Sequence, residues 1–275
     1  MTEPRPDWLN LRDRVCVVTG AGGGLGRAIA LGFAGAGARL VLLDRRQEAM
    51  AGTRAALAGL GAQVVSLACD VADPGSVEAA AEGARALGPC AVLVNNAALL
   101  RPGPLETLPL AEWNALVSVN LTGYFLCAQV FGRQMRERGG GAIVHVASIA
   151  GSHPQGFSGA YSVGKAGIVM LSRQLATEWG PAGIRSNVVS PGLVVTPLSQ
   201  PFYDAPGVRA RRSAAVPLGR IGAPEDIRDA VLFLASDRAG YVSGDEITVD
   251  GGFSRVLMNL IPRPGYDAGP ADPPS

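Results

Sequence analysis

The stretch VCVVTGAGGGLG, residues 15–26, decides the fold of this chain. Its first five residues, VCVVT, are almost all apolar or β-branched, as in a buried β-strand. The glycines that follow permit positive φ angles and a close approach of a ligand to the backbone, and Arg27 opens a helix-like segment with free N–H groups at its start. A strand, a glycine turn and a helix in this order predict a dinucleotide-binding turn. We expect its contacts to come from Gly20, Gly24, Leu25 and Gly26.

The alternation of strand and helix continues outward from this turn along the chain. Seven short runs rich in Val, Leu and Ile predict strands at residues 15–19, 39–44, 63–68, 91–95, 142–148, 185–190 and 246–250. Ala-rich amphipathic stretches predict helices at residues 27–36, 77–86, 112–138, 161–179 and 225–235. Strands that are apolar almost throughout are typical of a parallel sheet covered on both faces. The predicted fold class is α/β: a doubly wound, Rossmann-like parallel sheet of about seven strands with helices on both faces, a three-layer sandwich.

The length suits one large domain or two small ones, and we expect a single domain because no linker divides the sequence. The 275 residues suit one dinucleotide-binding catalytic domain over residues 1–275, and residues 262–275 form a Pro-rich tail. With 24 Lys and Arg against 23 Asp and Glu, the formal net charge of +1 gives no electrostatic reason to expect nucleic acid or an anionic membrane as a partner.

The cysteines and the hydropathy pattern indicate a compartment. Cys16, Cys69, Cys90 and Cys127 are widely spaced and form no CxxC pair, which favours buried free thiols in a reducing environment. Residues 1–10 contain no apolar signal core, and no uninterrupted apolar stretch approaches the ~20 residues of a membrane span. We therefore expect a cytoplasmic protein.

Asp44 ends the predicted strand after the glycine turn, where an acidic residue can hold the ribose hydroxyls of an adenosine. Its carboxylate would repel a 2′-phosphate, so the sequence favours NAD over NADP. Arg45 and Arg46 follow directly, and an arginine beside the ribose could instead pair with that phosphate. We predict NAD as the cofactor, with Arg45 beside Asp44 in its site, and keep NADP as the alternative.

Taken together, these motifs resemble the short-chain dehydrogenase/reductase family in its simple single-domain branch, over about residues 13–252. The spacing of Gly20, Gly24 and Gly26 is similar to that family's glycine turn. Ala98 stands where the family usually has glycine, a difference of one methyl group. The resemblance implies further cofactor contacts after the third, fourth and sixth strands, at Asp70, Val71, Asn96, Ala97, Pro191, Gly192, Val194 and Thr196.

Ser148, Tyr161 and Lys165 form the predicted catalytic set, with Asn120 on an earlier helix. Tyr161 and Lys165 lie four residues apart in a predicted helix, so their side chains share one face. A nearby lysine cation lowers a tyrosine pKa, so we expect Tyr161 to act as general base toward an alcohol or as general acid toward a ketone. Ser148 ends a strand, where open α/β sheets bind ligands, and would hold the substrate oxygen. The resemblance implies that Lys165 also binds the nicotinamide ribose and that Asn120 orders a water molecule for proton relay.

Predicted substrate contacts follow from the same positions: Ser148, His153, Gln155, Tyr161, Leu193 and Tyr203. His153 and Gln155 can hydrogen-bond hydroxyl groups, which favours a polyol or a sugar, although both also suit a polar loop near solvent. The one other histidine, His145, lies within a predicted strand, so a metal site is not expected. We also expect residues 255–266 to lie near an active site.

The main prediction is therefore an NAD-dependent oxidoreductase that interconverts a secondary alcohol and a ketone in a small molecule. One alternative is an NADPH-dependent 3-oxoacyl-carrier-protein reductase, whose acidic partner would need a basic patch such as Arg209, Arg211 and Arg212. The other is a non-enzymatic dinucleotide-binding module, which would have no reason to keep the catalytic set together. By resemblance we expect a homotetramer or a homodimer.

Overall fold

The strand that precedes the glycine turn, β1 (Val15–Thr19), lies at the centre of a seven-stranded sheet in this computed structural model, which describes residues 8–261. The other strands are β2 (Arg39–Asp44), β3 (Val64–Ala68), β4 (Val92–Asn95), β5 (Gly141–Val146), β6 (Ile184–Pro191) and β7 (Glu246–Val249). Their order across the sheet is β3-β2-β1-β4-β5-β6-β7, and every neighbouring pair is parallel. β1 and β4 are buried along their whole length, because helices cover both faces of the sheet.

The helices form the two outer layers of a three-layer sandwich. Their bounds are α1 (Gly24–Gly35), α2 (Ala51–Ala58), α3 (Pro74–Ala84), α4 (Leu110–Val117), α5 (Gly123–Glu137), α6 (Tyr161–Trp179), α7 (Val208–Ala214) and α8 (Pro224–Ala235). One apolar core lies between the sheet and α1, α2 and α8, with Phe33 and Ile227 fully buried in it. The second core lies between the sheet and α3, α5 and α6, and contains Phe131. Each such side chain contributes roughly 1.5–3 kcal/mol through its burial.

This architecture confirms the predicted fold class, and each predicted strand is present within two residues of its expected bounds. The largest difference lies at β5, which ends at Val146 instead of 148. Ser148 therefore follows the strand and opens a short 3-10 turn, Ile149–Gly151. The predicted Pro-rich tail, residues 262–275, lies outside the described residues.

The predicted helix at residues 112–138 is interrupted. A π-helical turn, Ser118–Thr122, separates α4 from α5 while the chain keeps its direction. Such a turn closes its hydrogen bonds over five residues instead of four and leaves helix on both sides, so helical periodicity alone does not predict it.

The same region has the length and mean composition of a membrane span, although it is not an uninterrupted apolar stretch, because polar residues such as Glu112 and Asn120 lie within it. Leu110–Glu137 is a 28-residue helical stretch that is long and apolar enough to cross a membrane. Half of its apolar window is buried inside the protein, because Phe131 and Met135 pack into the core beneath the sheet. A core helix of a globular protein has this character, so the stretch is weak evidence for a membrane span.

Candidate active site

Two adjoining cavities lie at the carboxyl-terminal edge of the sheet, where open α/β folds bind ligands. The first, which we call the glycine cleft, has a volume of about 450 Å³ and includes the turn between β1 and α1. The second, which we call the outer cavity, has a volume of about 1030 Å³ and is lined by the segment after β5, by α7 and by residues 253–260. Ser148 and Gly192 line both cavities, so ligands bound in the two would meet beside these residues.

The glycine turn is shaped by backbone contacts that leave no room for side chains. Gly20 has a φ of +64°, and a Cβ there would lie 2.8 Å from the Cα of Ala97. A Cβ on Gly26 would lie 2.1 Å from the carbonyl oxygen of Gly20, so Gly26 packs behind the cleft. α1 begins at Gly24 with no side-chain cap and no acidic residue in its first turn, which leaves its N–H groups for an anion. The turn therefore fits the pyrophosphate of a dinucleotide.

Asp44 is held at the glycine cleft by two backbone hydrogen bonds. Its Oδ2 accepts from the N–H of Gly22 at 3.0 Å, and its Oδ1 accepts from the N–H of Arg46 at 3.2 Å. Asp44 and Arg46 line the cleft, whereas Arg45, the arginine expected there, is exposed and lies outside its wall. Because successive residues of an extended chain point to opposite sides, only alternate residues after β2 can reach the cleft.

The turn after β4 is tied to β1. Thr19 Oγ1 accepts from the N–H groups of Asn96 at 2.9 Å and Ala97 at 3.0 Å. In return, Asn96 Nδ2 donates to the carbonyl oxygens of Thr19 at 3.0 Å and Gly20 at 3.1 Å. Asn96 lines the cleft, while Ala97 supports the glycine turn from behind. Sequence reasoning missed Thr19, whose place between the two turns depends on the pairing of β1 with β4.

Asp70 and Val71 also lie outside the wall of the glycine cleft, as do Gly26, Arg45 and Ala97 among the predicted cofactor contacts. Asp70 Oδ1 accepts from the N–H of Ala72 at 3.0 Å and so closes the turn after β3. Val71 is buried against α5, where a Cβ on Gly123 would lie 2.8 Å from its side chain. Both residues shape the segment next to the cleft.

Ser148, Tyr161 and Lys165 all line the glycine cleft, and Ser148 also lines the outer cavity. Tyr161 is the first residue of α6, and its hydroxyl lies close enough to the side chain of Ser148 to interact with it. Burial raises the pKa of Tyr161, and the interaction with Ser148 opposes that rise only in part. The predicted catalytic hydroxyl groups are therefore in contact at the junction of the two cavities.

Lys165 is buried, with 2% of its surface exposed. Its Nζ donates to the carbonyl oxygen of Val146 at 2.8 Å and to the hydroxyl of Tyr124 at 3.4 Å, and lies 5.6 Å from the ring centroid of Tyr161. Burial lowers the pKa of Lys165 to about 7. In the protein alone, burial raises the pKa of Tyr161 and lowers that of Lys165. The lowering of the Tyr161 pKa that we expect from Lys165 therefore stays a prediction for the complex with the cofactor.

A buried polar network supports Lys165 from below. Tyr124 donates its hydroxyl hydrogen to the carbonyl oxygen of Val146 at 2.9 Å, and its ring stacks on His145 at a centroid distance of 5.8 Å. Asn95 Nδ2 donates to the carbonyl oxygen of Tyr124 at 3.1 Å and lies 3.3 Å from His145 Nδ1. Since an amide nitrogen only donates, His145 Nδ1 accepts and its Nε2 carries the proton toward Ser186, 3.2 Å away. His145 is thus neutral, and burial lowers its pKa to about 3.

Asn120 lies in the π-helical turn and is fully buried. Its Oδ1 accepts from the N–H of Leu99 at 2.7 Å, and its Nδ2 donates to the carbonyl oxygen of Leu99 at 2.8 Å. A Cβ on Gly164 would lie 3.4 Å from Asn120 Cβ, which places Asn120 against α6 one residue before Lys165. Asn120 does not line either cavity.

The predicted substrate residues divide into two groups. His153, Gln155 and Leu193 line the outer cavity together with Ser148. Tyr203 is buried outside both cavities, and the guanidinium of Arg212 lies over its ring at 4.7 Å from the centroid. Of the segment expected near an active site, four residues line the outer cavity: Val256, Leu257, Asn259 and Leu260.

The structure thus brings most of the predicted residues to one edge of the sheet. Those in the wall of the glycine cleft are Gly20, Gly24, Leu25, Asp44, Asn96, Ser148, Tyr161, Lys165, Pro191, Gly192, Val194 and Thr196. Within residues 8–261, no cluster of three or more His, Cys, Asp or Glu side chains could hold a metal ion. The four cysteines are buried and free. The fold and the site together define an α/β dinucleotide-binding protein with a tyrosine and a lysine at the reacting end of its cleft.

Comparison with known proteins assigns the chain to a family. A family model described as enoyl-(acyl carrier protein) reductase matches residues 20–254. D-threitol dehydrogenase of Mycolicibacterium smegmatis is 40% identical over 245 residues, which are 89% of this chain and 94% of that protein. Galactitol 2-dehydrogenase (L-tagatose-forming) of Cereibacter sphaeroides is 40% identical over 247 residues, 88% of this chain and 96% of that protein.

Two further similarities bear on the alternatives. The 3-oxoacyl-[acyl-carrier-protein] reductase of Escherichia coli is 36% identical over 249 residues, 90% of this chain and 100% of that protein. The solved structure of a gluconate 5-dehydrogenase from Burkholderia cenocepacia, in complex with NADP and tartrate, matches with a TM-score of 0.86 and 32% identity over 90% of this chain and 98% of that one. The chain belongs to the short-chain dehydrogenase/reductase family. It is an oxidoreductase that acts on alcohol groups with a nicotinamide cofactor.

Proposed function

We propose that this protein oxidises a secondary alcohol of a small hydroxylated compound, of polyol or sugar type, with NAD as the hydride acceptor. The observation that carries the proposal is the contact between Ser148 and Tyr161 at the junction of the glycine cleft and the outer cavity. A dinucleotide in the cleft and an alcohol in the cavity would meet at this contact.

The residues of the glycine cleft fit NAD. The uncapped start of α1 and the crowded glycines suit the pyrophosphate, and Asp44 suits the ribose hydroxyls of the adenosine. When bound, the nicotinamide supplies the carbon that accepts the hydride. Arg46 in the same wall could balance a 2′-phosphate, and the gluconate 5-dehydrogenase structure contains NADP. Asp44 nevertheless favours NAD, because its carboxylate is held in the cleft by two backbone N–H groups.

Each catalytic residue has a distinct part in the proposed reaction. The hydroxyl of Ser148 positions the alcohol oxygen, and the oxygen of Tyr161 removes its proton as the carbon loses hydride. Lys165 is held by Val146 beside Tyr161, and its positive charge stabilises the tyrosine anion. In the reverse direction Tyr161 returns the proton to a ketone oxygen. Asn120 keeps α6 and the segment at Leu99 in register beneath these groups.

Two observations support a polyol or sugar alcohol as the substrate. D-threitol dehydrogenase and galactitol 2-dehydrogenase are relatives with 40% identity. His153 and Gln155 lie in the wall of the outer cavity, where they can hydrogen-bond hydroxyl groups next to Ser148. We further propose that the enzyme is one domain, works in the cytosol with its four thiols reduced, and assembles as a homotetramer or homodimer.

A 3-oxoacyl-carrier-protein reductase is the second candidate function. The similarity to the Escherichia coli reductase and the basic residues on α7, Arg209, Arg211 and Arg212, favour it. Asp44 opposes it. Such a reductase would use NADPH, and the carboxylate of Asp44 would repel the 2′-phosphate of that cofactor. The cofactor preference therefore separates the two functions.

Absorbance of reduced nicotinamide tests the proposal directly. Purified protein would be assayed with NAD or NADP across threitol, galactitol, gluconate and simple secondary alcohols, and in reverse with NADPH and a 3-oxoacyl thioester. Turnover of at least one polyol with NAD, at a higher kcat/KM than with NADP, is the expected result. Thioester reduction with NADPH alone would replace the proposed function by the second candidate.

A further inference from the structure

The outer cavity is larger and more apolar than a four-carbon polyol requires. Its volume of about 1030 Å³ is at the upper end of pockets for drug-sized ligands. Leu193, Val208, Val256, Leu257 and Leu260 supply apolar side chains to its wall. Leu257 and Leu260 are 72% and 76% exposed, so a ligand with an apolar body would remove their surfaces from water.

The charge of the outer cavity is one-sided. Arg211 and Arg212 belong to its wall, and no Asp or Glu of the described residues lines it. The Arg212 guanidinium is held over Tyr203 at 4.7 Å and over Phe202 at 5.8 Å from the ring centroids. Arg211 has no ion pair and no side-chain hydrogen bond within residues 8–261. The wall therefore contains one guanidinium fixed by aromatic rings and one that is available to a ligand.

A guanidinium with no protein partner in an apolar wall is suited to a carboxylate. Arginine presents parallel N–H groups that match the two oxygens of a carboxylate, and it loses less hydration than lysine on pairing. The same wall includes Ser148, whose hydroxyl contacts Tyr161, so one molecule in the outer cavity can reach both the reacting groups and α7. The cavity combines a reacting end, an apolar middle and a cationic end.

We propose that the outer cavity binds an anionic hydroxy compound: its alcohol lies at Ser148, its carbon skeleton against the apolar wall, and its carboxylate at Arg211. This rests on the proposed function, because the alcohol end uses Ser148 and Tyr161. Among the small hydroxylated compounds of the proposed function, it favours those that carry a carboxylate over neutral ones. Arg211 is then a residue that determines specificity and takes no part in proton transfer.

Calorimetry of the full-length protein saturated with NAD tests the proposal without depending on turnover. The probes are cyclohexanecarboxylate and cyclohexanecarboxamide, which share a shape but differ in charge; bound NAD keeps the probe out of the glycine cleft. Arg211→Gln removes the proposed partner. Arg209→Gln is the matched control, because Arg209 is an exposed residue of the same helix that lines neither cavity.

We expect wild type and Arg209→Gln to bind the carboxylate about tenfold more tightly than the carboxamide, and Arg211→Gln to bind both alike. Equal affinities in the wild type, no binding of the carboxylate, or an equal loss in both variants would overturn the proposal. Oxidation of neutral alcohols with NAD, measured separately, keeps the two ideas apart. If that oxidation persists while the carboxylate preference is absent, the proposed function stands and this inference fails.

Discussion

Lys165 is the buried cation on which the candidate active site depends. Its Nζ has two hydrogen-bond acceptors, the carbonyl oxygen of Val146 and the hydroxyl of Tyr124, and burial lowers its pKa to about 7. A lysine with that pKa is only partly charged near neutral pH, so each acceptor that favours the protonated form also favours the anion of Tyr161. We therefore expect Tyr124 to position Lys165 for the reaction.

Removal of the Tyr124 hydroxyl tests this role. In Tyr124→Phe, Lys165 loses an acceptor of its protonated form, so its pKa falls further and the base form of Tyr161 appears at higher pH. We expect the pH profile of kcat for alcohol oxidation to shift toward higher pH, with NAD affinity unchanged. Tyr241→Phe is the control, because Tyr241 is fully exposed. A loss of activity without any shift of the profile would indicate a structural role alone.

Asp44 gives a second prediction for a single residue. Asp44→Asn keeps a hydrogen-bond acceptor for Gly22 but removes the charge that would repel a 2′-phosphate. We expect the ratio of kcat/KM for NADP to that for NAD to rise about tenfold or more. Glu48→Gln changes the same charge at an exposed position nearby that does not line the cleft, and should leave the ratio unchanged. If the ratio of kcat/KM for NADP to that for NAD were equal in both variants, Asp44 would not determine the cofactor preference.

Local patterns predicted the regular elements well but the irregular ones poorly. The strands and the glycine turn follow from apolar runs and from glycines between a strand and a helix, which are properties of neighbouring residues. The π-helical turn around Asn120 was not predicted, because helical periodicity does not distinguish one wider turn within a long helical stretch. α7 was missed as well, since its seven residues include three arginines and no apolar face. The contacts of Thr19 and of His145 depend on strand order, which joins residues more than 40 positions apart.

The glycine turn provides a prediction for an element. Gly26→Ala places a Cβ 2.1 Å from the Gly20 carbonyl oxygen, so β1 and α1 must separate. We expect a loss of about 2 kcal/mol or more in the free energy of unfolding, measured in urea, and weaker NAD binding. Gly35→Ala in the same helix meets no atom within 4 Å and should increase stability slightly. A stable Gly26→Ala protein with normal NAD binding would contradict the close packing described above.

For the whole molecule, the buried network links stability to pH. His145 is neutral in the folded protein, where burial lowers its pKa to about 3 from the ordinary value of 6.5. Between these values the unfolded chain binds a proton that the folded protein does not, so stability falls as the pH decreases from 6.5 toward 3. We expect the unfolding free energy of His145→Gln to fall less steeply between pH 6.5 and 4.5 than that of the wild type. The difference between the two slopes should correspond to the binding of one proton on unfolding. Parallel curves would show that His145 does not titrate on unfolding.

In the proposed reaction, Tyr161 at the junction of the glycine cleft and the outer cavity exchanges the proton during hydride transfer. The most direct test is the steady-state kcat of Tyr161→Phe for an alcohol that the wild type oxidises, at saturating NAD, with NAD binding measured by calorimetry. We expect NAD affinity to stay within a factor of a few while kcat falls about a hundredfold or more. A kcat within a few-fold of the wild type would contradict this role of Tyr161.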